Sequence, residues 1–162
     1  MKVVLDTSAI LAGLQFDDDK EYFITDETLR EIKDKDALLR IEVKRNEDSV
    51  RIAAPEERSI QAVKKKLGQL GEEESLSEAD VMALSLALEL KERGEEVVLA
   101  TDDYGIQNVA GSLSISYATV AEKGIKKILT WHFICTGCGQ GYDKNVVLCE
   151  ICGSKVKRRA AR

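Results

Sequence analysis

The sequence predicts an α/β fold, with a parallel sheet flanked by helices and a small zinc ribbon after it. Over residues 1–120, short apolar runs alternate with longer segments of helical spacing, which is typical of a parallel sheet covered on both faces. The only four cysteines of the 162 residues then follow as two Cys-x2-Cys pairs. We therefore predict a body at 1–120, a linker or clasp at 121–134, and a ribbon with a basic tail at 135–162.

The first half of the body is predicted to contain three strands and three helices. Strands are expected from short apolar runs, and helices from capping residues and apolar spacing. Asp17-Asp18-Asp19 marks a loop, Thr25 or Asp26 caps the second helix, and Pro55 follows the third strand. The expected strands lie at 3–5, 22–24 and 52–54, and the expected helices at 9–12, 26–39 and 56–67.

The second half of the body contains the best-defined helix of the chain. Ser77 caps it, it extends from Glu78 to about Arg93, and Gly94 closes it. A strand at 97–100, a helix at 104–110 and a strand at 113–116 complete the body. From 120 to 130 the alternation is lost and lysine is enriched, which indicates a linker. We expect residues 131–134 to form a ribbon strand or the clasp between the two modules.

The cysteine spacing indicates a metal site rather than a redox or catalytic centre. Cys135, Cys138, Cys149 and Cys152 present four thiolates that suit a tetrahedral Zn²⁺ site, with Zn–S bonds of about 2.3 Å. Two disulfides are the alternative. Because we find no secretory signal and no apolar run of ~18–20 residues, we expect a cytoplasmic protein with reduced thiols, which favours zinc. A four-thiolate site has no open position, so catalysis is expected in the body.

The net charge of −5 is divided unevenly along the chain. Residues 1–120 carry 15 Lys and Arg against 26 Asp and Glu, a net charge of −11. Residues 135–162 carry six basic against two acidic groups, a net charge of +4. The basic tail is suited to phosphate contacts, and a frayed, solubilising terminus is the alternative. Its cationic residues are Lys155, Lys157, Arg158, Arg159 and Arg162.

Acidic residues follow two of the predicted strands. Asp6 follows the first strand and Asp102-Asp103 follows the strand at 97–100, while Asp80 lies in the first turn of the Ser77 helix. Ligands of parallel sheets bind beyond the carboxyl ends of the strands. Carboxylates without histidine or cysteine favour Mg²⁺ or Mn²⁺, which activate water and stabilise charge on a phosphoryl group. The pattern thus favours a phosphodiester substrate, although helix capping alone also explains Asp80.

The acidic motifs resemble those of a known nuclease family. The segments VVLDTSA at 3–9, LSEAD at 76–80 and LATDD at 99–103 are similar to the three acidic motifs of PIN-domain nucleases. With the C-terminal ribbon and the run at 103–110, the chain more narrowly resembles the Nob-one endonucleases. That resemblance implies Mn²⁺- or Mg²⁺-dependent cleavage of precursor small-subunit (16S-type) rRNA at its 3′ end. It also implies a pre-ribosomal particle and a KH-type RNA-binding assembly factor as partners.

The resemblance also assigns metal-binding aspartates. Asp6, Asp80 and Asp103 match the family's positions. Asp102 competes with Asp103 for the last of these, since both lie in Thr-Asp-Asp, and the T-x-D spacing favours Asp103. All four are candidate catalytic residues.

The family's catalytic glutamate has two candidates here. Glu31 matches best, in the helix after the second strand, and Glu27 is the rival. Helical spacing alone would place Glu31 in solvent, away from the apolar stripe. Ser8 and Thr101 are expected to hydrogen-bond the acids or metal-bound water.

Two other functions remain open from the sequence. One is a toxin-like PIN ribonuclease acting on tRNA or mRNA, which the attached ribbon disfavours. The other is a non-catalytic RNA-binding assembly factor that uses the body as a scaffold, which the filled acidic positions disfavour.

Overall fold

The computed structural model describes residues 1–121, 123–125 and 128–160, and it contains one parallel and one antiparallel sheet. The strands of the parallel sheet are β1 (Lys2–Leu5), β2 (Glu21–Ile24), β3 (Val50–Ile52), β4 (Val97–Ala100) and β5 (Ser116–Ala118). Their order is β3-β2-β1-β4-β5, and every neighbouring pair is parallel. The predicted α/β fold with a parallel sheet is confirmed, and β1 lies at its centre.

Within the described part of the chain, the helices that connect and cover these strands are α1 (Thr7–Leu11), α2 (Asp26–Glu31), α3 (Lys35–Asn46), α4 (Glu57–Leu70), α5 (Glu78–Glu92) and α6 (Tyr104–Ser112). Successive strand residues point to opposite faces of the sheet, so each face buries its own core. Val4 packs in a cluster with α4, α5 and α6, whereas Val3 and Leu5 pack in a second cluster with α1 and α3. Among the described residues, none of the helices is both long and apolar enough to cross a lipid bilayer.

The predicted helix at 26–39 is wrong, because the chain forms two helices there. Ile32 has an extended backbone (φ −72°, ψ 111°) that ends α2. The Asp34 side chain then accepts a hydrogen bond from Ala37 N at 2.7 Å and caps α3 as a new helix. Both helices are too short for apolar spacing to show this break, whereas a capping aspartate is a recognisable signal.

Three other boundaries also differ from the prediction. Strand β3 begins two residues before the expected 52–54, and β5 lies at 116–118 instead of 113–116. Helix α6 extends to Ser112, and Ser114 takes a left-handed turn (φ 54°) before β5. Helix α4 likewise extends three residues past its expected end. Within the expected linker, residues 122, 126 and 127 lie outside the described residues.

The antiparallel sheet forms the C-terminal ribbon. Its strands are β6 (Trp131–Cys135), β7 (Gly141–Tyr142) and β8 (Val156–Ala160), in the order β7-β6-β8. The expected strand at 131–134 is therefore present as β6. The basic tail is not frayed over its described part, since β8 pairs with β6 along its whole length. Arg162 lies outside the described residues.

Gly71 brings the end of α4 against the ribbon. It caps α4 in the left-handed conformation (φ 67°), which glycine adopts without steric cost. A Cβ at this position would lie 2.6 Å from the carbonyl oxygen of Trp131. The position therefore requires glycine for both its backbone angle and its contact with β6.

We expect Gly71→Ala to lower the free energy of unfolding more than Gly94→Ala, measured by chemical denaturation. Gly94 is also left-handed (φ 81°), but an added Cβ there meets none of the described atoms within 4 Å. Gly94→Ala should cost about 1–2 kcal/mol for the backbone conformation, and Gly71→Ala about 1–3 kcal/mol more for the displaced ribbon. Equal losses in the two variants would contradict the close approach of Gly71 to β6.

Candidate active site and metal centre

The pairing of β1 with β4 brings the first and third acidic motifs together. Leu5 and Ala100 are register partners at the carboxyl ends of these strands. The next residue of each strand, Asp6 and Thr101, is buried, with 1% and 0% of its surface exposed. Asp6 N continues the ladder by donating to the carbonyl oxygen of Ala100 at 3.1 Å. The carboxyl edge of the sheet thus contains a buried carboxylate.

Hydroxyl groups from both motifs hold this carboxylate. Asp6 Oδ2 accepts hydrogen bonds from Ser8 Oγ (2.5 Å), Ser8 N (3.2 Å) and Thr101 Oγ1 (2.8 Å). Burial raises the pKa of Asp6, and the hydrogen bonds from Ser8 and Thr101 partly oppose that rise. Ser8 Oγ also accepts a hydrogen bond from Asp102 N at 2.8 Å, which ties the third motif to the first. The hydrogen bonds expected of Ser8 and Thr101 are present.

Asp80 lies half-buried in the first turn of α5, where it makes a capping box with Ser77. Ser77 N donates to Asp80 Oδ2 at 2.7 Å, and Asp80 N donates to Ser77 Oγ at 3.2 Å. The pKa of Asp80 is raised to about 6, mainly by burial and also by the charges of Asp6 and Glu31, although the hydrogen bonds with Ser77 oppose the rise. Asp80 is therefore a helix cap and also a close neighbour of two other acids.

Asp102 and Asp103 turn in different directions after β4. Asp103 is exposed and caps α6, because its Oδ1 accepts from Gly105 N at 2.6 Å and Ile106 N at 3.1 Å. The Asp102 carboxylate instead accepts from Val120 N at 2.8 Å and Ala121 N at 3.0 Å, in the segment after β5. The structure thus gives Asp102 a hydrogen-bonding role in holding this segment, which favours Asp103 as the metal-binding candidate.

The two candidate glutamates of α2 also differ in their surroundings. Glu31 Oε2 accepts a hydrogen bond from Thr7 Oγ1 at 3.1 Å, at the start of α1 beside Asp6. Its charge also acts on the pKa of Asp80. Glu27 pairs with Arg30 across one helical turn, at 3.7 Å. The structure therefore brings Glu31, although exposed, towards Asp6 and Asp80, and it gives Glu27 a different partner.

We call the four candidate carboxylates, those of Asp6, Glu31, Asp80 and Asp103, the acidic edge. This group has the donor chemistry of a site for a hard divalent cation. Its ligands are carboxylate oxygens, and the repulsion between Asp80, Asp6 and Glu31 is what a cation would relieve. Among the described residues, only the four cysteines bring three or more ligand atoms within 4.8 Å of one another. Asp6, Asp80 and Asp103 are held by hydrogen bonds that cap α1, α5 and α6, so a bound ion would have to draw these side chains inward.

The four thiols of the ribbon form a tight cluster. Cys135 Sγ lies 3.5 Å from Cys152 Sγ, and Cys138 Sγ lies 3.5 Å from Cys149 Sγ. A disulfide would require about 2.05 Å, whereas zinc–sulfur bonds of about 2.3 Å place tetrahedral sulfurs about 3.8 Å apart. The four cysteines are free and their spacing fits one tetrahedral metal ion with no open position.

Tyr142 on β7 supports one of these thiols. Its hydroxyl donates to Cys149 Sγ at 3.0 Å and accepts from Glu150 N at 3.0 Å. The pKa of Cys149 is lowered to about 6, and the hydrogen bond from Tyr142 is the largest of the causes. It therefore favours the thiolate, which is the form that binds metal.

The basic residues of β8 are divided between two faces. Lys157 and Arg159 lie opposite Ile134 and His132 and are exposed, as is Lys155 before the strand. Arg158 lies on the other face, and its guanidinium pairs with Glu72 of the body at 2.5 Å. Arg158 is thus paired with the body. The three other described residues of the basic tail that were predicted to contact RNA are exposed and available to a ligand.

The sequence predicted only the ribbon side of the contact between body and ribbon, at residues 131–134. Glu72, Asn108 and Trp131 meet there, and only Trp131 lies in a segment expected to act as a clasp. Glu72 is one of three consecutive glutamates, and nothing in their sequence distinguishes it. The single tryptophan of the chain was the one available signal, since a large apolar ring usually finds a buried partner.

Comparison with known proteins identifies relatives of the body alone and relatives of nearly the whole chain. A model of the PIN domain of ribonuclease matches residues 3–90. Endoribonuclease Nob1 of Pyrococcus abyssi is 36% identical across 97% of this chain and 92% of its own length. Endoribonuclease Nob1 of Methanocaldococcus jannaschii is 37% identical across 100% of this chain and 80% of its own length. Ribonuclease VapC1 of Thermoplasma acidophilum is 35% identical across 67% of this chain and 54% of its own length.

We expect the native chain to bind one zinc ion and Tyr142→Phe to weaken its zinc affinity about 10- to 100-fold, because the donor to Cys149 is lost. Competition with a chromogenic chelator measures this affinity. Tyr117→Phe is the matched control, since its hydroxyl donates to Ile125 O at 3.3 Å, away from the cysteines. Equal affinities in the two variants would show that the Tyr142 hydroxyl does not support the site.

Proposed function

This chain belongs to the Nob1 family of PIN-domain endoribonucleases, and from that premise we propose that it cuts precursor small-subunit rRNA at its 3′ end during ribosome maturation. One observation carries the proposal: an acidic edge and a four-thiolate ribbon occur in one chain, and the Nob1 relatives match it over both. The match to VapC1 covers only 67% of the chain. We also propose a cytoplasmic location, where the thiols stay reduced.

The residues of the acidic edge have different proposed roles in RNA hydrolysis. Asp6, Asp80 and Asp103, together with Glu31, hold one or two Mn²⁺ or Mg²⁺ ions. Such ions supply a bound water of lowered pKa and offset the charge that builds up on the phosphoryl group. Ser8 and Thr101 fix the Asp6 carboxylate, so its orientation is set before the substrate binds. The products of the reaction are a shortened RNA and the released 3′ fragment.

The ribbon is suited to holding RNA that the acidic body repels. Lys157 and Arg159 present two exposed cations on one face of β8, and Lys155, just before the strand, is a third exposed cation. We assign them contacts with phosphates, which makes binding sensitive to salt. Zinc at the four cysteines folds this module without taking part in cleavage. A KH-type RNA-binding assembly factor on the pre-ribosomal particle is the protein partner that fits this role.

A toxin-like ribonuclease acting on tRNA or mRNA is the second candidate. The similarity to VapC1 favours it, and the ribbon and the fuller match to Nob1 proteins count against it. A panel of tRNA, mRNA and rRNA junction fragments, cut under the same conditions, distinguishes the two. A preference for tRNA or mRNA would replace our proposal. No cleavage of any RNA by the metal-loaded protein would favour a non-catalytic assembly factor.

We expect Asp6→Asn to reduce cleavage of an rRNA 3′-junction fragment with Mn²⁺ by at least ~10²-fold, because an anionic ligand is lost from the acidic edge. The amide retains an oxygen that accepts from Ser8 and Thr101, so thermal unfolding should show a folded variant. Asp18→Asn, in an exposed loop, is the matched control and should cut like the native protein. Equal cleavage by Asp6→Asn and Asp18→Asn would refute the assignment of the site.

The two glutamates of α2 can be separated by the same assay. We expect Glu31→Gln to lower kcat by about 10-fold or more, since Glu31 lies beside Thr7 and acts on Asp80. Glu27→Gln loses only its pairing with Arg30 and should lie within about twofold of the native rate. If Glu27→Gln has the larger effect, the assignment of Glu31 is wrong.

A further inference from the structure

A buried carboxylate lies between the body and the ribbon, outside the acidic edge. Glu72 follows the Gly71 cap of α4 and is only 3% exposed, whereas Glu73 and Glu74 beside it are exposed. A buried carboxylate is unfavourable unless hydrogen bonds and an opposite charge compensate for its lost hydration. Its partners therefore indicate what it does.

Four side chains from separate parts of the chain surround Glu72. Trp131 Nε1 donates to its Oε1 at 2.6 Å, and Arg158 pairs with its Oε2 at 2.5 Å. Ser75 Oγ donates to Oε2, and Asn108 Nδ2 lies 3.4 Å from Oε1. From here on, the word clasp means five residues and not the segment 121–134: Glu72, Ser75, Asn108, Trp131 and Arg158. Trp131 and Arg158 belong to the ribbon, so the Glu72 carboxylate joins the body to the ribbon.

Stacking strengthens the ribbon side of the clasp. The Arg158 guanidinium carbon lies 4.2 Å from the centre of the Trp131 ring, a cation–π contact between β6 and β8. Both side chains are thereby oriented towards Glu72. Because successive residues of β8 alternate in direction, the same arrangement turns Lys157 and Arg159 to the opposite face. The clasp thus sets the orientation of the exposed cations.

Asn108 connects the clasp to the acidic edge. Its Nδ2 donates to Leu129 O at 2.7 Å and its Oδ1 accepts from Leu129 N at 2.6 Å, which fixes the chain as it enters β6. Asn108 belongs to α6, the helix that Asp103 caps at its first turn. A single rigid helix therefore spans from the catalytic candidate to the clasp.

The clasp and the acidic edge also share a cleft. Asp103 and Tyr104 line it from the start of α6, and Glu72, Trp131 and Arg158 line it from the clasp. Its volume of about 280 Å³ is near the lower end of ligand-binding pockets. Displacement of the ribbon would change the shape of this cleft directly beside Asp103.

We propose that Glu72 is a positioning residue that holds the ribbon at a fixed distance and orientation from Asp103. RNA held on the exposed cations of the ribbon then presents one particular phosphodiester to the acidic edge. Glu72 acts on the choice of the cleaved bond and on kcat, while the cations determine affinity. This inference rests on the proposed function, because it requires that the protein cut RNA at the acidic edge.

The single tryptophan of the chain makes the clasp directly measurable. In Glu72→Gln the amide oxygen still accepts from Trp131. The amide NH₂ group and the Arg158 guanidinium are both donors, however, and the negative charge that attracted Arg158 is lost. We expect acrylamide to quench Trp131 more strongly in the full-length variant than in the native protein. Glu73→Gln changes the same charge at an exposed neighbour and is the matched control, with native quenching.

A second pair of variants keeps the test decisive if Glu72→Gln does not fold. Arg158→Ala removes the ribbon's cation from the clasp, and Arg159→Ala removes the same charge from the opposite face of β8. We expect only Arg158→Ala to expose Trp131, with Arg158→Lys partly restoring its protection. Arg159→Ala should instead weaken RNA binding without changing the quenching of Trp131.

Cleavage of the rRNA 3′-junction fragment provides the functional measurement. We expect the native protein to give one main product, and Glu72→Gln and Arg158→Ala to give several neighbouring products with kcat about 10- to 100-fold lower. For Glu72→Gln, KM should change little. Native quenching in both clasp variants, or a native cleavage position at native kcat, would overturn the inference. If the native protein leaves the junction uncut, the proposed function fails, and the quenching measurements alone then decide whether the clasp holds the ribbon.

Discussion

The hydrogen bonding of one buried carboxylate organises the acidic edge of this protein. Asp6 follows the central strand, where water is excluded, so its side chain must be held by neighbouring donors. Ser8 from the next turn and Thr101 from the adjacent strand supply them. Since Ser8 also binds the backbone of Asp102, the loop that leads to Asp103 is fixed by the same few atoms. The placement of Asp102 and Asp103 depends on this network.

The chain separates two kinds of metal chemistry by ligand type. Thiolates of the ribbon form a closed tetrahedral set, which stabilises a fold but leaves no position for a substrate. Carboxylates of the body form a looser set that fits a hard cation with open positions. The soft and the hard ligands lie in different modules, so the two proposed sites would not compete for the same ion.

The contact between body and ribbon combines charge with packing. The body has a net charge of −11 and the ribbon of +4, so the two modules attract each other at long range. At close range, that attraction becomes specific through the ion pair of Arg158 with buried Glu72 and the approach of Gly71 to Trp131. Such a contact is expected to be rigid, because loss of Arg158 would leave the buried carboxylate of Glu72 without its opposite charge.

Local patterns in the sequence determined the α/β class, the caps at Ser77 and Asp103, and the four-cysteine cluster, because these depend on residues close together in the chain. Tertiary structure decided the rest. Three of the four side chains that hold Glu72 lie 36 to 86 residues away, and Arg158 differs from Arg159 through the face of β8 that meets the body. Likewise, Glu31 approaches Asp80 only after the sheet forms. Burial and pairing of a charge are properties of distant contacts, and residue spacing alone does not specify them.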